Sequence, residues 1–359
     1  MDYPAVRRRS LSKLKKNVLN ISFLLLLFAL TLWLIFRDQD LEPILRTLKS
    51  VPAGYIITGL VLVVLYVCGE SVIIKYLLRA VNKTAPLINC IRYSFVGFFF
   101  SCITPSATGG QPAQIYYMQK QGINIPTATI ILMLVTIQYK FVLVFIGLGL
   151  VLFGQALVQT LTVEAQFYLY LGLGLNVFCV TFMSFLVFLP DTAKFLITKG
   201  FLLLQKLHLM KNKNNRMERL QASMDRYWEA SVFLKEHKLA IFNTTVITFV
   251  QRILLFFVTY VVYRSFGLAG ESAVTVTLLQ SAISISVDML PLPGGMGISE
   301  RLFLQIFAPV FGSTALTLSG MLMSRGISYY MLIVISAVIT CITHLTVTSA
   351  KSGVEIEKK

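Results

Sequence analysis

Apolar residues run along this chain in long blocks, with little of the polar face that a water-soluble helix shows every turn. Runs of about 20 apolar residues are long enough to cross the hydrocarbon of a bilayer. Six stand out, at about 17–36, 53–78, 126–154, 167–189, 238–263 and 313–348. The last is long and is expected to be kinked or divided near Arg325-Gly326. Two further apolar stretches, 88–121 and 271–310, are interrupted by glycine and proline. The first break reads Thr104-Pro105-Ser106-Ala107-Thr108-Gly109-Gly110-Gln111-Pro112, the second Pro291-Leu292-Pro293-Gly294-Gly295-Met296-Gly297-Ile298-Ser299-Glu300. Residues 39–49 read as a short interfacial helix. The predicted fold is an all-α integral membrane protein: about six full spans plus two broken re-entrant helical hairpins.

Non-helical backbone at membrane depth survives only where protein or a water-filled cavity satisfies its polar groups. A pair of breaks in corresponding halves of a chain is a pointer to a transporter binding site. Proline suits the first turn of a helix, as at Pro112, and Ile298-Ser299-Glu300-Arg301 is a plausible helix start. Both half-helices would then aim N-terminal amides, which attract anions, at the membrane interior. Their glycines would let backbone approach a ligand closely. The plainer alternative is a structural kink in each of two ordinary helices. Charge at depth is costly and usually faces a cavity or a partner, which brings in Lys140 and Arg325. The candidate lipid-headgroup site is therefore Thr108, Gly109, Gly110, Gln111, Gln114, Lys140, Gly294, Gly295, Gly297, Ser299, Glu300 and Arg325. Asp288 also flanks the second break, and Glu300 reads equally well as a structural partner of Arg325 or Arg301. Arg79, Arg92, Arg252 and Arg264 read as span-end residues that snorkel to the interface, and Glu70 as a partner of Lys75. Cations with carboxylates nearby suit a phospholipid phosphate, with or without an amine.

The excess of Lys and Arg in cytoplasmic loops sets orientation. Ten of these residues fall in 190–238 and none in 155–166. Both termini and the basic loop 190–237 are thus expected in the cytoplasm, in a multi-pass protein of the cell (plasma) membrane. The hairpins then enter from opposite sides. The chain reads as one polytopic domain, 1–359, with inverted repeat units at 53–154 and 238–348. Shifting the sequence by 185 positions places Arg79 on Arg264 and Lys140 on Arg325. Chance and snorkelling are the alternative account of that match.

Composition agrees. Only 13% of the 359 residues are charged, against about 25% in soluble domains. The net charge of +16 borders apolar spans, so anionic lipid is its expected counterpart; no motif for nucleic acid is present. Arg7-Arg8-Arg9 precedes the first apolar run, which lacks a small-residue cleavage site and reads as an uncleaved span. The five cysteines lie in or beside apolar segments and read as small buried hydrophobes. The three histidines share no metal-ligand spacing, and neither metal nor cofactor is expected. Tyr227-Trp228 in the basic loop reads as an interfacial anchor.

At the two breaks, with Gly122-Ile123 after the first and Glu300 after the second, the chain resembles the lysylphosphatidylglycerol synthase transmembrane-region family, the flippase-like half of multiple peptide resistance factor proteins. The layout matches over about residues 15–348. The resemblance implies movement of aminoacylated phospholipid between leaflets and a link to resistance against cationic peptides. Bifunctional members continue into a soluble aminoacyl-transferase domain, which this sequence is expected to lack. The resulting expectation is a flippase-like transporter of an anionic or aminoacylated phospholipid such as lysylphosphatidylglycerol. The alternatives are an intramembrane lipid-modifying enzyme, with Glu300 or Asp288 as acid or base, and a membrane subunit docking a separate lipid synthase.

Overall fold

The computed structural model describes residues 49–104, 107–189 and 216–356, together with residues 42, 46, 191, 192, 194, 195, 198 and 199. Every regular element among them is helical: α1 Ala53–Ala80, α2 Leu87–Cys102, α3 Gly110–Lys120, α4 Ile125–Phe153, α5 Gln155–Gln159, α6 Val163–Phe188, α7 Arg216–Glu236, α8 Lys238–Ser265, α9 Ala273–Val287, α10 Ile298–Phe311, α11 Thr314–Arg325 and α12 Leu332–Ile356. Five helical segments among the described residues are long and apolar enough to cross a membrane: α1, α4, α6, α8 and the stretch Thr314–Thr346. The protein is a multi-pass membrane protein. The expected span at 17–36 lies outside the described residues, and of 39–49 only 42, 46 and 49 are described, all helical.

Lipid explains why apolar blocks, without amphipathic stripes, encode these helices. Phe167, Tyr170, Phe178 and Phe182 of α6 point outward and exposed, which water would penalise and acyl chains do not. Side-chain caps mark where several helices begin. Asn124 accepts from the Thr127 amide at 2.9 Å, Thr162 from Ala165 at 3.2 Å, Ser272 from Thr275 at 3.0 Å and Ser313 from Leu316 at 3.3 Å. Each satisfies one of the amides that a helix start leaves open.

The two halves interlock. α1 packs along α8, joining the first half to the second. α2 packs on α12, at the far end of the chain, while α9 packs on α6. One apolar core joins the second half of α1 and the first half of α4 to α2, α3 and α7. Another joins the rest of α4 to α6 and α8–α11. Gly172 lets α6 and α9 touch backbone to backbone, since a Cβ there would lie 2.2 Å from the Ile285 carbonyl oxygen. Gly172→Ala is expected to force these helices apart at a cost of about 1–3 kcal/mol. Thermal unfolding in detergent checks this, with Gly174→Ala, whose Cβ meets nothing within 4 Å, as the silent control.

Of the two readings of 313–348, kinked or divided near Arg325-Gly326, the stretch is not divided: helical backbone continues from α11 to α12 through a π-helical turn, Gly326–Met331. Two other expectations change here. The basic loop is in part a 21-residue helix, α7. Its Tyr227 is buried against the protein, donating to the Leu186 carbonyl at 3.3 Å, because α7 packs onto α4 and α6. Tyr227 is therefore a packing residue, and burial raises its phenol pKa. Trp228, partly exposed, donates to Asp191 at 2.8 Å. Among the cysteines, Cys341 is exposed, on an outward face of α12.

Candidate functional site

The glycines of the first break serve packing. α3 starts at Gly110, where a Cβ would lie 2.0 Å from Ser101 Oγ and 2.7 Å from the Gly97 carbonyl oxygen. Gly97 in turn faces the Gln114 side chain at 2.4 Å from its own ideal Cβ. Residues without Cβ thus let α2 and α3 close on each other across the turn. The Gly109 amide donates to Thr104 Oγ1 at 2.9 Å. Ala107 adopts φ +54, a left-handed conformation that L side chains disfavour.

The second break is built differently. Gly294, Gly295 and Gly297 adopt φ +57, +65 and +85, which glycine takes at no steric cost. Glu300 folds back so that its Oε2 accepts from the Gly297 amide at 2.7 Å, while its Oε1 accepts from Arg325 Nε at 2.9 Å. Arg325 also donates to the Gly294 carbonyl at 3.0 Å. Tyr329, against Gly294, donates to the Cys102 carbonyl at 3.1 Å. Met296, Cys102 and Tyr329 pack together. The second break therefore rests on the end of α2, where the first begins.

Two adjoining cavities, of about 250 Å³ and about 460 Å³, occupy the space beside this junction. Both are bounded by Tyr66, Phe98, Ser101, Ala107, Arg252 and Asp288. The smaller reaches Gly294, Gly295, Ser299 and Arg325 of the second break region. The larger reaches Thr108, Gln111, Gln114, Lys140 and Glu70. Polar groups from both halves of the chain thus face one chamber.

Most of its charges are paired. Lys140 meets Asp288 at 2.6 Å and Asn176 Oδ1 at 3.3 Å. Tyr139 donates to the other Asp288 oxygen at 3.3 Å. Arg325 and Glu300 form a second pair at 2.8 Å. Pairing is what makes such charges tolerable in low dielectric. Arg252 differs. Its guanidinium stands 4.3 Å from the Tyr139 ring centroid and 5.2 Å from that of Tyr66. No carboxylate of the described residues comes within 4.0 Å of it, and its Nε is buried without a hydrogen-bond partner. Glu70 accepts from Gln114 Nε2 at 2.7 Å on one oxygen, and no described residue holds the other.

The structure brings Thr108, Gln111, Gln114, Lys140, Gly294, Gly295, Ser299 and Arg325 to the chamber. Gly109 and Gly110 shape the first turn, while Gly297 and Glu300 close the second; these four do not line it. The second half-helix does not offer a bare N-terminus, because Glu300 caps it. Two expectations give way. Arg252 is no snorkelling residue: it sits near the middle of α8, on the chamber wall. Glu70 pairs with Gln114 and not with Lys75. Of the two partners expected for Glu300, Arg325 takes it, leaving Arg301 to bind Glu164 at 2.8 Å on the outside, while Asp288 belongs to Lys140. The available signal for Arg252 was its position at the centre of the apolar run 238–263. Among the described residues no cluster of His, Cys, Asp or Glu could hold a metal.

The sequence profile of the lysylphosphatidylglycerol synthase TM region matches residues 21–336. The chain belongs to that family. Membership covers both breaks and every residue that lines the chamber. It makes this a membrane protein of a family linked to lysylphosphatidylglycerol. Comparison with curated proteins returns no match.

Proposed function

We propose that this protein is a flippase-like transporter that carries a phosphate-bearing lipid headgroup between leaflets while the acyl tails stay in the bilayer. The carrying observation is the polar chamber at the meeting of the two breaks, with Arg252 unpaired on its wall. A charged headgroup cannot cross hydrocarbon cheaply, and such a chamber replaces its water with tyrosine rings, amides and fixed charge. Helices α1–α4 and α8–α12 act as inverted units, each contributing one re-entrant hairpin. The exchange of partners, α2 against α12 and α9 against α6, supports that reading. Rocking along the α1–α8 seam would open the chamber to one side and then the other. The protein sits in the plasma membrane with both termini and α7 in the cytoplasm, as the lysines and arginines of 190–238 favour. The family's link to lysylphosphatidylglycerol supports a phospholipid as the class of cargo.

Reconstitution tests this. Vesicles holding the protein and a trace of fluorescently tagged phospholipid are treated with dithionite, which quenches only the outer leaflet. Loss of signal beyond the outer-leaflet fraction, faster than in protein-free vesicles, is the expected result. Exchange equal to that of empty vesicles, with folded protein confirmed by its melting transition, overturns the proposal.

A further inference from the structure

Once the two ion pairs are set aside, the chamber retains one cation and one carboxylate whose hydrogen-bonding capacity is not used up. These are Arg252, with an unpartnered Nε, and Glu70, held by Gln114 on one oxygen. Both line the larger cavity. Tyr66, whose ring lies against Arg252, precedes Glu70 by four residues on α1, so the two share a helix face at a separation of about one turn. The other charges on the chamber wall are Lys140, Asp288 and Arg325, with Glu300 behind Arg325, and all four are committed to each other in pairs.

We infer that Arg252 and Glu70 form a two-pole receptor for a headgroup carrying one phosphate and one ammonium, the phosphate on Arg252 and the ammonium on Glu70. This rests on the transporter reading above and narrows its cargo. Arginine presents a planar fork that matches phosphate oxygens, and here the Tyr139 and Tyr66 rings flank it on the chamber wall. Glu70 is oriented by Gln114, itself wedged against Gly97. A second ammonium would find only Asp288 and Glu300, both already engaged. A headgroup with no ammonium would leave Glu70 facing it uncompensated. The chamber therefore favours a net-neutral phospho-amine over both an anionic headgroup such as phosphatidylglycerol and a doubly aminated one such as lysylphosphatidylglycerol.

The test titrates the full-length protein in detergent with phosphatidylethanolamine, phosphatidylglycerol and lysylphosphatidylglycerol, reading bound lipid by native mass spectrometry. Phosphatidylethanolamine is expected to bind about tenfold or more tighter than either of the others, the scale of one hydrogen bond to a charged group. Glu70→Gln should weaken phosphatidylethanolamine by about tenfold and leave phosphatidylglycerol unchanged or tighter. Arg252→Gln should weaken every phosphodiester lipid, and Arg252→Lys should fall between it and the parent. Displacement of bound phosphatidylethanolamine by soluble O-phosphoethanolamine would assign the two poles to a free phospho-amine; its failure to displace assigns them to a lipid. Equal affinity for phosphatidylethanolamine and phosphatidylglycerol in the parent protein overturns the inference, as does an equal loss of both on Glu70→Gln. The parent's order of preference decides the matter even if a variant fails to fold. Selective binding without lipid movement would remove the transporter reading and leave the receptor. Movement indifferent to headgroup would do the reverse.

Discussion

Asp288→Asn is expected to destabilise the folded protein by about 3–5 kcal/mol, because it strands Lys140 as a buried cation without its counter-charge. The pair is 2.6 Å apart, with Lys140 6% and Asp288 16% exposed. Asn176 Oδ1, at 3.3 Å, supplies a dipole and no charge. The contact also ties α4 to the residue that ends α9, so losing it loosens the second break from the first half of the chain. Removing both charges together, as Lys140→Met with Asp288→Leu, should recover most of the loss, since apolar replacement of a whole buried pair is often neutral or better. Recovery stops short of full because Tyr139 then lacks its acceptor. The external pair Arg301–Glu164 is the contrast. It is 66% and 32% exposed, and breaking it should cost under about 1 kcal/mol. Unfolding of the purified variants in detergent measures all three. A parent-like transition for Asp288→Asn would mean that Lys140 is compensated elsewhere.

Gly294→Ala should cost about 2–5 kcal/mol, the sum of two separable effects. Holding alanine at φ +57 carries about 1–2 kcal/mol of left-handed strain. The added methyl would also lie 2.3 Å from the Tyr329 ring and hydroxyl, and overpacking of that kind costs about 1–3 kcal/mol. Tyr329 cannot swing aside freely, because its hydroxyl is anchored on the Cys102 carbonyl at 3.1 Å. Gly122→Ala isolates the first effect: its φ is +91 and its Cβ meets nothing within 4 Å. A larger loss for Gly294→Ala than for Gly122→Ala reports the crowding, since φ +57 lies closer than φ +91 to the left-handed well. Gly294→Ala should in addition slow lipid exchange in vesicles beyond what its stability explains, since Arg325 holds the Gly294 carbonyl at 3.0 Å. Equal destabilisation of the two variants would show that Tyr329 yields.

Much of the fold was legible because lipid is a demanding solvent. Apolar runs near 53–78, 126–154, 167–189 and 238–263 became α1, α4, α6 and α8, with ends shifted by a few residues. The breaks were legible through glycine and proline, yet the reason for the glycines was not. Gly110 was expected to admit a ligand and instead admits Ser101. The chemistry was partly legible: Lys140 and Arg325 stood out as charges inside spans, and both reach the chamber. Arg252 and Glu70 were read as span-end residues, although both lie inside apolar runs. Helix α7 was hidden by its polar composition, which resembles that of a solvated loop until its buried face, with Tyr227, Ala230 and Ser231, is seen against α4 and α6.

From residue order alone came the solvent, the rough extent of the apolar helices at 53–78, 126–154, 167–189 and 238–263, the two interruptions and the stock of charge between them. These are local properties: each depends on a stretch of about 20 residues and its transfer into hydrocarbon. Which cation takes which carboxylate was settled only by packing, because Lys140 and Asp288 are 148 positions apart and meet through the docking of α4 against α9. The same assembly pairs Arg325 with Glu300, leaves Arg252 between two tyrosine rings, and joins the breaks into a single chamber. Contacts of that range are decided by how helices fit against each other, and no window along the chain contains them.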